Sequence, residues 1–400
     1  YRQKVFLPAW AQLEGRTRSW QEANMMEEEV QQPSGSPIYG PPRRRVVVWF
    51  HDESTFYAND RWKQHWVHKG ETAKPRAKGE GASLMAVGFV SADYGWLHSP
   101  DGKDTSIQLF KVGKNRDGYF TSEDIIAHAN KAMDILNKHF LNEEHVLVYD
   151  NANTHSKHAG DTLSARRMPK GTSAAAKNWG VEAPMTASDS SIIHDTHGNI
   201  RKIKVPMGEG KLPDGTAQPL YFLPGHPKAG LFKGMAVILQ ERGLINESKL
   251  RAECKGFKCL PGAKDCCCWH VMYNQPDFVE VKSLLEIACK ARGCLVIFLP
   301  KFHCELNFIE QCWGWAKRVY REFPASSKEA DLERNVLQVL ESVPLVSMRW
   351  YDILLSSRQF YQHRLDGRLA AWVSKKYRGH RVITETLMQE IEVAAAKAFA

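Results

Sequence analysis

Four short apolar runs mark the chain at strand length: Val46 to Phe50, Leu84 to Val90, His145 to Tyr149 and Leu295 to Leu299. With a short strand near Trp66-Val67, the runs from 46 to 90 read as an antiparallel meander. Ile125, Ile126, Ala129, Met133, Leu136 and Phe140 then recur at helical spacing, which predicts a helix from Glu123 to about Phe140 capped by Ser122. Such a helix returns the chain so that His145 to Tyr149 lies parallel to the first strand. Pro300 stops the Leu295 strand, Asn307 is a good helix cap, and Glu310 sits three positions later in the capping-box spacing. The pattern predicts an α/β fold, a mixed sheet with flanking helices.

Elsewhere the pattern is helical or absent. Tyr1 to Gln32 reads as a helix with Trp10, Leu13 and Trp20 as apolar points, followed by a Pro- and Gly-rich linker up to Pro42. Gly160 to Gly215 has no period and reads as loops. Gly230 to Arg242 reads as a helix, and another opens at Pro276 and carries Val281, Leu284, Leu285 and Ala288. Past Pro324, helices are predicted at Glu329 to Leu340, Arg349 to Leu355, Phe360 to Tyr377 and Thr384 to Phe399.

The net charge of +9 favours a polyanionic partner. No run is long enough for a membrane span and no signal-peptide pattern is present, so an intracellular protein is expected. Residue 1 is Tyr, and an upstream region is expected before it. All nine cysteines fall in the second half, and their odd number argues against a disulfide framework. Zinc ligation by Cys254, Cys259, Cys267 and His270 is one reading of the richest cluster. The spacing is not that of paired CxxC ligands, and buried thiols beside Trp269 are the favoured reading.

Candidate chemistry lies where the apolar runs end. Asp52 follows the first run and Asp150 the third; alone, each would be a turn former or a cap. Glu53 competes with Asp52, but adjacent strand residues point to opposite faces and only one can serve. Trp313, Gly314 and Lys317 share a helical face with Glu310, and Arg318 and Arg321 lie close by, so a carboxylate stands above basic residues. His155 and His303 flank two of the carboxylates, where they could orient water or phosphate; a structural role is the favoured reading of each.

Taken in order, HDES at Asp52, DNANTH at Asp150, and LNFIE ending in Glu310 before WGWAKR, the chain resembles the DDE transposases of the mariner-like kind. The resemblance covers roughly Arg45 to Arg321 and departs from the family pattern at Phe308, where Pro is usual. It implies a ribonuclease-H-like catalytic domain in which Asp52, Asp150 and Glu310 hold two Mg²⁺ (or Mn²⁺) ions, Asp52 bridging both. The implied activity is phosphodiester cleavage and strand transfer at transposon ends, with DNA as partner, a homodimer as the assembly, and a nuclear location in a eukaryote.

Candidate DNA contacts are Arg43, Arg44, Arg45, Lys69, Lys317, Arg318 and Arg321; a solvated-flank reading stands beside the arginine run and the later cluster Lys375 to Arg381. The interval from Asp150 to Glu310 exceeds what a compact member needs. The expected division is therefore residues 1–42, a catalytic domain over 43–324 with an insertion at about 160–276, and a helical region over 325–400. A plain nuclease of the same fold, or a derivative that binds nucleic acid without cutting it, are the alternatives. The three carboxyl groups are expected to converge to about 4 to 8 Å, one of them with a raised pKa.

Overall fold

A computed structural model of the chain describes residues 5–354 except 15, 19, 22, 23, 28–43, 63–69, 71–77, 114, 167, 186–192, 194, 196, 198, 261, 262, 302, 304, 305, 325 and 327. The linker, the strand expected near Trp66-Val67, Arg43, Lys69, the helices over 360–377 and 384–399 and the cluster at 375–381 lie outside the described residues. Two compact units are present, residues 1–157 with 285–400 and residues 158–284.

The first unit is built on a mixed sheet. After helix α1 (Leu7–Glu14), strand β1 (Val46–Tyr57) is followed by β2 (Ser83–Ser91), β3 (Gly95–Trp96) and β4 (Gln108–Phe110), then helix α2 (Ser122–His139) and strand β5 (Glu144–Tyr149). Strand β10 (Leu295–Phe298) completes the order β10-β5-β1-β2-β3, with β4 also paired to β2. β1 runs parallel to β5 from Val46↔Glu144 to Phe50↔Val148, and β5 runs parallel to β10. β2 is antiparallel to β1 from Phe50↔Val90 to Tyr57↔Ser83.

β1 therefore outruns its predicted end at Phe50. Its second half is polar to the eye, but Thr55, Phe56 and Tyr57 suit a pleated surface and β2 supplies a partner for every residue. Asp52 is thus inside the strand, just beyond the point where β5 stops pairing with it.

Alternation along β1 divides the core. Val47 and Trp49 pack with Ile125, Ala129, Met133 and Leu136 of α2, together with Leu285 and Cys289 of helix α7 (Leu284–Ala291). Val46, Val48, Phe50 and Phe56 pack with Ile309, Cys312, Trp313 and Ala316 of α8 (Ile309–Tyr320) and with Leu332, Val336 and Val339 of α9 (Glu329–Glu341). Phe6, just before α1, and Trp10 and Leu13 of α1 join this second cluster. The boundaries expected at 42/43 and 324/325 therefore fall between segments that share one core. Helix α10 (Leu345–Leu354) starts earlier than the predicted Arg349.

Both expected caps are corrected. Thr121, not Ser122, caps α2 and forms a capping box with Asp124. Asn307 does not cap α8: the flanking residue is Phe308, which makes no side-chain cap hydrogen bond. The buried Asn307 instead donates from Nδ2 to the His51 carbonyl of β1 at 3.1 Å. Phe308 meets Phe50 with ring centroids 4.7 Å apart. The start of α8 is thus tied to the strand that carries Asp52.

The second unit, 158–284, has its own core of Met207, Leu220, Phe232, Met235, Ile238, Leu239 and Met272. The hairpin of β6 (Val181–Pro184) with β7 (Lys202–Val205) lies in the region read as loops, and that of β8 (Gly210–Lys211) with β9 (Ala217–Gln218) begins in it and ends just past it. The side chains of β6 and β7 are half-buried or exposed and β8 and β9 are only two residues each, so no apolar alternation announces them. The helices are α3 (Met235–Glu241), α4 (Ile245–Ser248), α5 (Cys268–Tyr273) and α6 (Pro276–Val279), with a 3₁₀ turn at Lys255–Phe257. α3 begins five residues later than predicted because Gly234 has φ +86° and its Cα lies against the Gly171 backbone, where a Cβ would be 2.4 Å from it. The single helix predicted after Pro276 is split into α6 and α7. Among the described residues no helix is long and apolar enough to cross a membrane.

Candidate active site

Asp52 projects from the α8 side of β1, where its Oδ2 accepts a hydrogen bond from the Trp313 indole N–H at 3.1 Å. Trp313 is itself held against Trp96, ring centroids 5.0 Å apart. Burial, and then the charges of Glu310, Glu53 and Asp150, push the Asp52 carboxyl up to about 8. Glu310 stands on the first turn of α8, and its carboxyl is also raised, by burial and by Asp150, against the pull of Lys317. Gly314, one turn further along, would meet nothing within 4 Å of an added Cβ, so this face of the helix is open.

Asp150 follows β5. Its Oδ1 lies 2.5 Å from Nδ1 of the buried His155, whose Nε2 lies 3.3 Å from Glu53 Oε1. Burial alone would depress His155, but hydrogen bonds and charge from Asp150 and Glu53 push it up to about 10. Burial raises the Asp150 carboxyl, yet the bond to His155 outweighs it and leaves it below its ordinary value. Adjacent strand positions thus have separate roles: Asp52 faces α8, and Glu53 faces the imidazolium. His155, read as structural from sequence, is the positive charge between two carboxylates.

Behind this pair lies a neutral row. His128 Nε2 meets the Ser106 carbonyl at 2.7 Å and must carry its proton there; burial lowers this histidine to about 4, so its Nδ1 is an acceptor. His51 Nε2, 3.2 Å away, then donates to it. That leaves His51 Nδ1 bare, and it makes no hydrogen bond. No sequence pattern marked His128, and His51 stood out only as the first residue of HDES, with no role assigned to it.

Among the described residues, two sets of potential ligands have all their ligand atoms within 4.8 Å of one another: His51, Glu53 and His155, and Cys254, Cys259, Cys266 and Cys267. The trio Asp52, Asp150 and Glu310 is not so tightly drawn, although Glu310 and Asp150 both raise Asp52 and Asp150 raises Glu310. Three carboxyl groups that cannot all ionise cheaply form a donor set suited to divalent cations with oxygen ligands.

The basic candidates fall into two places. Lys317, i+7 from Glu310, lies in the site: burial lowers it while Asp60, Glu310 and Asp52 pull the other way. Arg318 stacks on Trp315 at 4.5 Å, and Arg321 pairs with Asp60 at 2.9 Å. Arg44 and Arg45 precede the start of β1, about 23 Å from Asp52 at 3.3 Å per residue. Arg44 donates to the Leu141 carbonyl at 3.1 Å, and Arg45 pairs with Glu143. These two arginines are remote from the carboxylates.

In the second unit, Cys254, Cys259 and Cys267 do come together, but their fourth neighbour is Cys266 in place of His270. His270 Nδ1 instead lies 3.2 Å from Cys266 Sγ. The pairing of adjacent Cys266 and Cys267 had no familiar spacing to reveal it.

Comparison with protein-family models finds no matching family, and comparison with curated proteins finds no significant match.

Proposed function

We propose that the chain is the catalytic region of a DDE-type DNA transposase with a ribonuclease-H-like sheet, which cleaves phosphodiester bonds at transposon ends and transfers the freed 3′-hydroxyl to target DNA. One observation supports the reading above the others: the charges of Glu310 on the first turn of α8 and of Asp150 after the parallel neighbour strand reach Asp52 on the central strand and add to burial, the larger cause, in raising it to about 8. The strand order, with β2 antiparallel beside three parallel strands, supports the same fold.

Asp52, Asp150 and Glu310 are the residues that would hold two Mg²⁺ or Mn²⁺ ions. Bound there, such ions activate water or a 3′-hydroxyl and stabilise the leaving oxygen. The protein's own contribution is positioning. Trp313 fixes one oxygen of Asp52, His155 fixes Asp150, and Asn307 ties the helix bearing Glu310 to β1. Lys317 places a cation beside the carboxylates, where it suits a phosphate oxygen.

The test is cleavage of supercoiled DNA and of duplexes carrying the element's terminal inverted repeats, with Mg²⁺ or Mn²⁺. Asp52→Asn and Glu310→Gln should abolish cleavage and leave salt-dependent DNA binding in place. Strand-transfer products distinguish a transposase from a plain nuclease. DNA binding without metal-dependent turnover in the unaltered chain, or cleavage retained in both variants, contradicts the reading.

A further inference from the structure

We propose that Cys254, Cys259, Cys266 and Cys267 bind one zinc ion as a closed, structural four-thiolate site in the second unit. This inference is independent of the phosphoryl-transfer reading. The four Sγ atoms all lie within 4.8 Å of one another, and those of Cys266 and Cys267 are 4.0 Å apart. A tetrahedral ion with Zn–S bonds of about 2.3 Å requires sulfur–sulfur edges of about 3.8 Å. The cluster is already near that size, and all four cysteines are free thiols rather than disulfides.

Packing separates these cysteines from ordinary core thiols. Cys268, the next residue, belongs to the apolar core of the unit. Cys254 and Cys267 are 6% and 0% exposed, yet neither joins that core; they face the other sulfurs. Neighbouring residues in extended backbone normally point apart. Here Cys267 is extended, at φ −162° and ψ 160°, immediately before α5, and its sulfur and that of Cys266 nevertheless turn to one point. Cys254 and Cys259 reach the same point from the two ends of the Lys255–Phe257 turn, which Gly256 makes possible at φ +63°. Thiols attract one another weakly, so a metal is the natural reason for four to converge.

The surroundings suit the ion's thiolate shell. Four thiols release their protons to solvent on binding, and the resulting site carries a net charge of −2. Arg251, Lys255, Lys258 and Lys264 lie exposed on the same loop and offset it. His270 Nδ1, 3.2 Å from Cys266 Sγ, is placed to donate a hydrogen bond to a thiolate, as outer-shell groups at metal sites do. A complete four-sulfur set leaves no position for a reacting water, which makes the site structural.

The test is metal analysis of the full-length chain purified under reducing conditions, together with Co²⁺ substitution. One zinc per chain is expected, and Co²⁺ should give the intense sulfur-to-metal charge-transfer absorption of a tetrahedral thiolate site. Cys259→Ser with Cys266→Ser should remove that absorption. Where the double variant fails to fold, titration of the reduced, unaltered chain with Co²⁺ decides alone. Absence of the charge-transfer band in that titration, or native disulfides among the four cysteines, would each overturn the assignment.

Discussion

Asp52 carries the largest electrostatic load among the three carboxylates, and its protonation has a consequence for stability. Folding moves its pKa from 3.8 to about 8, so the folded chain keeps a proton that the unfolded chain releases. The stability linked to this group is full below about pH 4 and is lost as the pH rises through about 8. Asp52→Asn cannot ionise. In a metal chelator, its melting temperature should therefore gain on the unaltered chain between pH 4 and 8, by a few degrees at the alkaline end, as measured by calorimetry. A difference that stays constant across that range would show that Asp52 is not held in a protonated state. His155 titrates in both proteins and cancels in the comparison. Its own contribution has the same form, shifted upward in pH: the raised value of about 10 means that the stability from the Asp150–His155–Glu53 pairing is full below about pH 6.5 and is lost as the pH rises through about 10.

At the scale of elements, the second unit is anchored by a buried ion pair. Arg242, after α3, meets Asp277 of α6 through two bonds, Nη1 to Oδ1 at 2.8 Å and Nη2 to Oδ2 at 2.7 Å, and Asp277 Oδ2 also accepts from the Lys211 N–H of β8 at 2.8 Å. Asp277→Ala strands a guanidinium whose side chain is 2% exposed and should cost about 3–5 kcal/mol in this unit. Denaturant unfolding and limited proteolysis over 158–284 would register it; unchanged stability would mean that water reaches Arg242.

The same scale shows what the sequence could and could not disclose. The apolar runs of β2 and β5 and the stripe of α2 were legible because each buries one continuous set of side chains, and β10 was legible from composition although Leu295 is exposed. β1 past Phe50 was not, because its polar residues are kept in the strand by β2 rather than by their own pattern. Asn307 and Glu310 had the spacing of a capping box, but a buried amide found a carbonyl on another element, a long-range choice that local spacing cannot express. Asp52, Asp150 and Glu310 could be picked out as residues, whereas Trp313, His51 and His155 acquired their roles only from the packing.

At the scale of the molecule, the second unit leaves and rejoins the chain at one place. His158 Nδ1 lies 3.0 Å from the Lys282 carbonyl, so its two ends meet. Replacing residues 159–281 with a short Gly/Ser linker should therefore leave the sheet of the first unit folded, with a cooperative thermal transition and the near-ultraviolet signature of its packed tryptophans. Loss of that transition would show that the first unit depends on the second to fold. The central claim, that the three carboxylates form a divalent-metal site, is tested most directly by counting bound Mn²⁺ by electron paramagnetic resonance across a pH series. Two ions per chain are predicted, with affinity rising as Asp52 gives up its proton up to about pH 8 and with binding lost in Asp52→Asn and reduced in Glu310→Gln. Mn²⁺ binding that is absent, indifferent to pH, or unchanged in Asp52→Asn would contradict the claim.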